Sequence, residues 1–99
     1  MRQKQQCERC ALCERETVLT FHHLIPKKAH RRARFRKRYD RSELAAGIRI
    51  CRLCHRGIHK LYDEIELAER FNTLAMLKSD AALARHISWV SRQQPGKRL

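Results

Sequence analysis

Cys51-Arg52-Leu53-Cys54-His55-Arg56-Gly57-Ile58-His59 packs two thiols and two imidazoles into nine residues. Cys51-x2-Cys54 is half of a structural zinc site, while His55 and His59, four residues apart, fall on one face if the stretch is helical. Each half needs a partner elsewhere in the chain. For the thiols it is Cys10-Ala11-Leu12-Cys13, and for the imidazoles it is the pair inside Leu19-Thr20-Phe21-His22-His23-Leu24-Ile25-Pro26. Cys7-x2-Cys10 offers an overlapping knuckle, and spacing alone does not choose between the two. The polar Glu14-Arg15-Glu16 after Cys13 suits a turn into the next strand, so we assign Cys10 and Cys13 as ligands and Cys7 as a spare thiol. Two Cys-x2-Cys pairs satisfy the ligand count of a closed tetrahedral zinc site. His22, His23, His55 and His59 then exceed what that zinc needs and suggest a second, open metal site.

The chain has 99 residues, enough for one domain with a limited core, and a metal would help to hold it. The net charge of +13 favours a polyanionic partner, nucleic acid before any other. That charge is densest from Lys27 to Arg41, where Lys27, Lys28, Arg31, Arg32, Arg34, Arg36, Lys37, Arg38 and Arg41 make nine of fifteen residues against a single Asp40. The run lacks the regular apolar face of an interfacial helix, so a membrane surface is not the expected partner. Within it, Phe35 and Tyr39 stand four apart and could anchor a short helix to the core. No stretch approaches the length of a membrane helix. With five cysteines and no apolar leader in Met1-Arg2-Gln3-Lys4-Gln5-Gln6, a reducing, cytoplasmic setting is expected, with thiolates on metal rather than in disulfides.

Around these motifs the chain divides into a basic N-terminal arm over 1–9, a metal module over 10–62 and a C-terminal helical extension over 63–99. Thr17 to Phe21 is β-branched or aromatic at four of five positions and reads as a strand that ends at the paired histidines and is stopped by Pro26. Ser42-Glu43-Leu44 reads as a turn, and Ile48-Arg49-Ile50 as a second strand leading into Cys51. A helix from 52 to 62 should turn its ligands to one side and Arg52, Arg56 and Lys60 to another, with Gly57 kept for a close approach. Asp63, Thr73, and Ser79 or Asp80 are candidate caps for helices over 64–70, 74–78 and 81–93, the last ended by Pro95 and Gly96. Leu83, Ile87 and Val90 form an apolar stripe there, and His86 reads as a surface or packing histidine.

Taken together, Cys10-x2-Cys13, Phe21-His22-His23-Leu24-Ile25-Pro26 and Cys51-x2-Cys54-His55-x3-His59 resemble the HNH nucleases, the ββα-metal group with a four-cysteine treble-clef zinc site. The resemblance covers residues 10 to 62. It implies an α+β fold, a zinc-stapled ββα-metal module with additional C-terminal helices, acting as a metal-dependent DNA endonuclease. It also implies that His23 is the general base, that His22, His55 and His59 hold one catalytic divalent cation (Mg2+, Mn2+, Ni2+ or Zn2+), and that a structural Zn2+ sits on the four cysteines. The family's middle Asn, which braces the loop holding the base, falls near Ala46 and is absent. The competing reading is a non-catalytic zinc module that binds DNA or RNA, as monomer or homodimer.

Overall fold

In the computed structural model, which describes residues 7–94, the first cysteine knuckle is the tip of a β-hairpin. Strand β1 (Glu8–Arg9) pairs antiparallel with β2 (Glu16–Thr17), Glu8 opposite Thr17. Between them the Cys10 N–H donates to the Arg15 carbonyl (2.9 Å) and the Glu14 N–H to the Cys10 carbonyl (3.0 Å). Glu14 takes the left-handed conformation (φ 67°) that closes this tight turn. The expected basic arm is therefore too long at its C-terminal end. Glu8 and Arg9 belong to the fold, and Glu8 is tied down by an ion pair with Arg49 (2.9 Å). The glutamine-rich start of the arm and the Pro95–Gly96 stop lie outside the described residues.

At Val18 the chain passes from this small sheet to a second one. Strand β3 (Leu19–His23) pairs antiparallel with β4 (Gly47–Cys51), Leu19 opposite Cys51 and His23 opposite Gly47. The strand thus starts and ends two residues later than Thr17–Phe21, because Thr17 is already engaged by Glu8. The two histidines consequently sit within the ladder and not beyond it. Gly47 is required by its surroundings: a Cβ there would fall under 3.0 Å from the Phe21 ring and the His22 carbonyl oxygen. With no side chain at Gly47, the Phe21 ring lies across the strand pair.

β4 runs directly into α4 (Arg52–Leu61), with Cys51 at the cap position. The helix packs on both β3 and β4, giving a ββα unit. Beyond it, α5 (Glu64–Arg70), α6 (Leu74–Ser79) and α7 (Ala81–Ser91) are capped by Asp63, Thr73 and Asp80, whose side chains accept from the N–H groups of Glu66, Met76 and Leu83. Helix α7 packs against α4. Ile50, Ile58, Leu67, Leu77, Leu83 and Val90 are fully buried in the same core as the four cysteines, while Trp89 stays 47% exposed.

The basic stretch, expected as a charged run with a turn at its end and a short helix anchored by Phe35 and Tyr39, is folded into three short helices: α1 (Lys27–His30), α2 (Ala33–Arg38) and α3 (Arg41–Ala45). Ala29 and Phe35 are buried with Ile25 and Ala68, and this second small core docks the run on α5. The Ser42-Glu43-Leu44 turn is the inside of α3, which opens on a capping box between Asp40 and Glu43. The whole is a small α+β domain with two two-stranded sheets. Among the described residues, no helix is long and apolar enough to cross a membrane.

Candidate metal centres

Cys10, Cys13, Cys51 and Cys54 are all buried, and their sulfurs lie within 4.8 Å of one another. Cys10 Sγ is 3.9 Å from Cys54 Sγ, and Cys13 Sγ is 3.7 Å from Cys51 Sγ. A tetrahedron with metal–sulfur bonds of about 2.3 Å has edges of about 3.8 Å, so the cluster has the dimensions of a four-thiolate site and could hold a structural metal such as zinc. The backbone prepares it. Cys10 Sγ accepts the N–H groups of Leu12 (3.4 Å), Cys13 (3.4 Å) and Cys51 (3.3 Å), as a sulfur carrying negative charge would. Hydrogen bonds with Cys51 and Cys54 hold the Cys10 thiol far below its ordinary range despite burial. Cys54, hydrogen-bonded to Cys10 and Cys51 and buried, is pushed far above. Ionising one sulfur therefore opposes ionising its neighbour, and a cation in their midst removes that opposition.

One residue outside the two knuckles completes this site. Arg15 donates from Nη2 to Cys51 Sγ (3.3 Å) and from Nη1 to the carbonyls of Gln93 and Gln94 (both 3.2 Å). Its cation offsets thiolate charge and ties the residues that follow α7 to the cluster. Cys7 is exposed and outside the group of four.

The second cluster is His22, His55 and His59, with ligand nitrogens again within 4.8 Å of one another. Strand β3 delivers His22 inward, 1% exposed, and α4 delivers the other two one turn apart. Ring centroids are 5.2 Å (His22 to His55), 5.4 Å (His22 to His59) and 5.0 Å (His55 to His59) apart. His22 Nε2 is buried with no hydrogen-bond partner, so this polar atom needs an occupant for the space it faces. Burial first, then the proximity of His55, His59 and His23, lowers the His22 pKa to about 3, and burial followed by His59 lowers that of His55. Both rings are thus neutral, the state a metal ligand requires.

Thr20 sets the His55 tautomer. Its hydroxyl is 3.1 Å from the Ile50 carbonyl and 2.8 Å from His55 Nδ1. The single O–H goes to the carbonyl, which can only accept, so Nδ1–H of His55 donates to Thr20 and the Nε2 lone pair is left for a cation. Thr20 was not among the expected site residues. It precedes His22 by two positions on a strand, and that period is the signal for it.

His23 is not part of the three-imidazole cluster. Strand alternation turns it to the other side, edge-on to Phe21 (4.8 Å) and 5.8 Å from His30, whose Nε2–H donates to the Ile25 carbonyl (2.6 Å). Burial, and then His30 and Lys27, hold its pKa below the usual imidazole value. Ala46, at the position of the absent Asn, braces the same loop with its main chain: its carbonyl accepts the Leu24 N–H at 3.1 Å.

All nine lysines and arginines of the basic stretch are exposed. Arg34 pairs with Glu69, and with Arg38, Phe35 and Tyr39 it borders a cavity of about 290 Å³ against α5. On α4 the expected division into a ligand side and a basic side does not hold. Arg52, Arg56 and Lys60 line one cleft of about 410 Å³ together with His55 and His59. At about 100° per residue the five positions occupy a continuous arc of about 140°, which makes the two sets neighbours.

A ββα unit with a four-cysteine cluster and a three-histidine cluster defines a small α+β protein with two candidate metal centres. Over 95 residues the chain is 39% identical to the uncharacterized protein YisB of Bacillus subtilis (strain 168), covering 95% of this chain and 84% of YisB, and it belongs to the same family. No family model matches the chain, and no solved structure matches it.

Proposed function

We propose that the protein is a metal-dependent DNA endonuclease of the HNH type, with a structural zinc on Cys10, Cys13, Cys51 and Cys54 in a treble-clef arrangement. The observation that carries the reading is His22 Nε2, buried without a hydrogen-bond partner beside His55 and His59, which line a cationic cleft. His22, His55 and His59 would hold one divalent cation, which when bound supplies Lewis-acid stabilisation of the charge building on the phosphate and the departing 3′ oxygen. Three imidazoles suit Mn2+, Ni2+ or Zn2+ better than Mg2+, which prefers oxygen ligands. His23 takes the proton of the attacking water at an imidazole nitrogen. Its lowered pKa keeps that nitrogen free at neutral pH. Lys27 and the exposed cations of α1 to α3 grip backbone phosphates and fix position without reading sequence.

A second reading is a zinc-stabilised module that binds DNA or RNA without cutting it. Ala46 favours it, since a backbone carbonyl replaces the side-chain brace that HNH enzymes use. A plasmid-nicking assay across Mg2+, Mn2+, Ni2+ and Zn2+ separates the two. On the nuclease reading the wild type nicks, and His23→Ala binds metal normally but cuts roughly a hundred- to ten-thousand-fold more slowly, the usual loss for a general base. His59→Ala weakens metal binding and is partly rescued by more metal. Activity indifferent to His23→Ala, or absent with every metal, leaves the binding module.

A further inference from the structure

The cleft beside His55 and His59 is larger than a metal site needs, and its cations have no assigned partner. Arg52, Arg56 and Lys60 are exposed. Among the described residues, none of the three forms an ion pair. The sequence places no acidic residue between Glu43 and Asp63, so nothing local offsets their charge. The lining of the cleft is mostly apolar although its residues are Arg52, His55, Arg56, His59 and Lys60, because arginine and lysine stems are aliphatic below their charged heads. A sugar–phosphate chain presents the complement, an apolar sugar between anions.

We propose that α4 carries a second DNA grip, the Arg52–Arg56–Lys60 ladder, that holds the backbone on the His55/His59 side of the scissile phosphodiester. This deepens the endonuclease reading and rests on it for the position of the cut. At a rise of about 1.5 Å per residue the ladder spans about 12 Å, and at about 3.4 Å of axis per phosphate that length of a strand offers three to four phosphates, enough for each of the three cations to take one. The start of the basic stretch lies on the His23 side of β3. The His30 ring at the end of α1 stands 5.8 Å from that of His23, and strand alternation separates His23 from the cluster His22 shares with α4. A strand crossing the end of β3 therefore meets cations both before and after the reacting phosphate. That geometry selects an internal linkage of a polymer over a terminal phosphate or a mononucleotide.

The test measures affinity for a labelled 20-base-pair DNA duplex by fluorescence anisotropy from 50 to 200 mM salt, alongside steady-state cleavage of the same duplex. Arg52→Gln/Arg56→Gln/Lys60→Gln should lower the slope of log affinity against log salt by about 2.7, so that the wild type loses about 40-fold more affinity across that range than the variant. Its KM should rise far more than its kcat falls. Arg52→Lys/Arg56→Lys, which keeps the charges, should restore most of the slope. If the triple variant loses its circular-dichroism signature, Arg56→Gln alone should still lower the slope by about 0.9. An unchanged slope and KM in a folded variant overturns the ladder while leaving the nuclease standing. Loss of slope in a wild-type background that cuts nothing removes the nuclease and leaves the ladder as a binding surface. A slope that falls only with duplex RNA overturns DNA as the occupant.

Discussion

Gly57→Ala is expected to destabilise this protein although the residue lies inside a helix, where alanine is favoured by about 0.8–1.0 kcal/mol. The reason is His86. Its ring lies over Gly57, where an added Cβ would fall under 3.0 Å from three of its atoms, and its Nε2–H donates to the Leu53 carbonyl at 2.9 Å. Forcing a methyl between two packed helices costs about 1–3 kcal/mol, and displacing the imidazole loses a hydrogen bond of about 1 kcal/mol. After the propensity gain the net is about 1–3 kcal/mol of lost stability. For a domain of this size 2 kcal/mol lowers the melting temperature by about 8–16 °C. In a His86→Ala background the three atoms nearest the methyl are gone, so the same substitution should stabilise by about 0.9 kcal/mol. The sign reversal, measured by urea unfolding at saturating zinc as a double-mutant cycle, isolates the contact. Equal destabilisation in both backgrounds would place the clash elsewhere, and stabilisation in the wild type would mean that α7 does not lie on α4 in this way. The contact bears on function because Gly57 stands between His55 and His59, so Gly57→Ala should also weaken metal binding by those imidazoles.

Elemental analysis should find one tightly held zinc per chain, and Cys54→Ser should lose both zinc and fold, since structural zinc contributes folding free energy directly; a folded, zinc-free Cys54→Ser would refute the four-thiolate assignment. Thr20→Val keeps shape but removes the acceptor for His55 Nδ1–H, and should weaken metal binding at the imidazole cluster about 10–100-fold in calorimetric titration, with zinc content unchanged. In protein freed of metal at the imidazole cluster, acid should act through His22. Its folded pKa of about 3 lies below the unfolded value of 6.5, so the unfolded chain binds more protons in that window and stability falls as pH drops from 6.5 towards 3. One such group contributes at most about 1.4 kcal/mol per pH unit, and His22→Asn should flatten the slope of unfolding free energy against pH. A slope unchanged in that variant would assign the acid sensitivity to other groups.

How much of this could be read from the chain depended on whether the physics was local. Metal-ligand spacing is a short-range code: Cys-x2-Cys fits one knuckle and His-x3-His one helical turn, so the four sulfurs now found together were legible as a set and His55 with His59 as a pair, while the choice of His22 over His23 came only with the resemblance to the HNH nucleases. The caps at Asp63, Thr73 and Asp80 are local for the same reason. The Asp40-x2-Glu43 box is equally local, but the dense charge around it masks the signal. In α1 and α2 the apolar signal is reduced to Ala29 and Phe35, too few residues for a period to show among nine cations. What the sequence hid is non-local. Glu8 and Arg9 have no strand propensity of note and pair only because the knuckle folds them back on Glu16 and Thr17. Arg15 reaches Cys51 across 36 positions, Thr20 reaches His55 across 35 and His86 reaches Leu53 across 33. Each of these fixes a residue that was legible by a partner that was not. The ligands of both clusters are thus written locally, while their charge balance, tautomer and helix position depend on the completed fold, so a variant such as Thr20→Val or Gly57→Ala can keep every ligand and still impair the site.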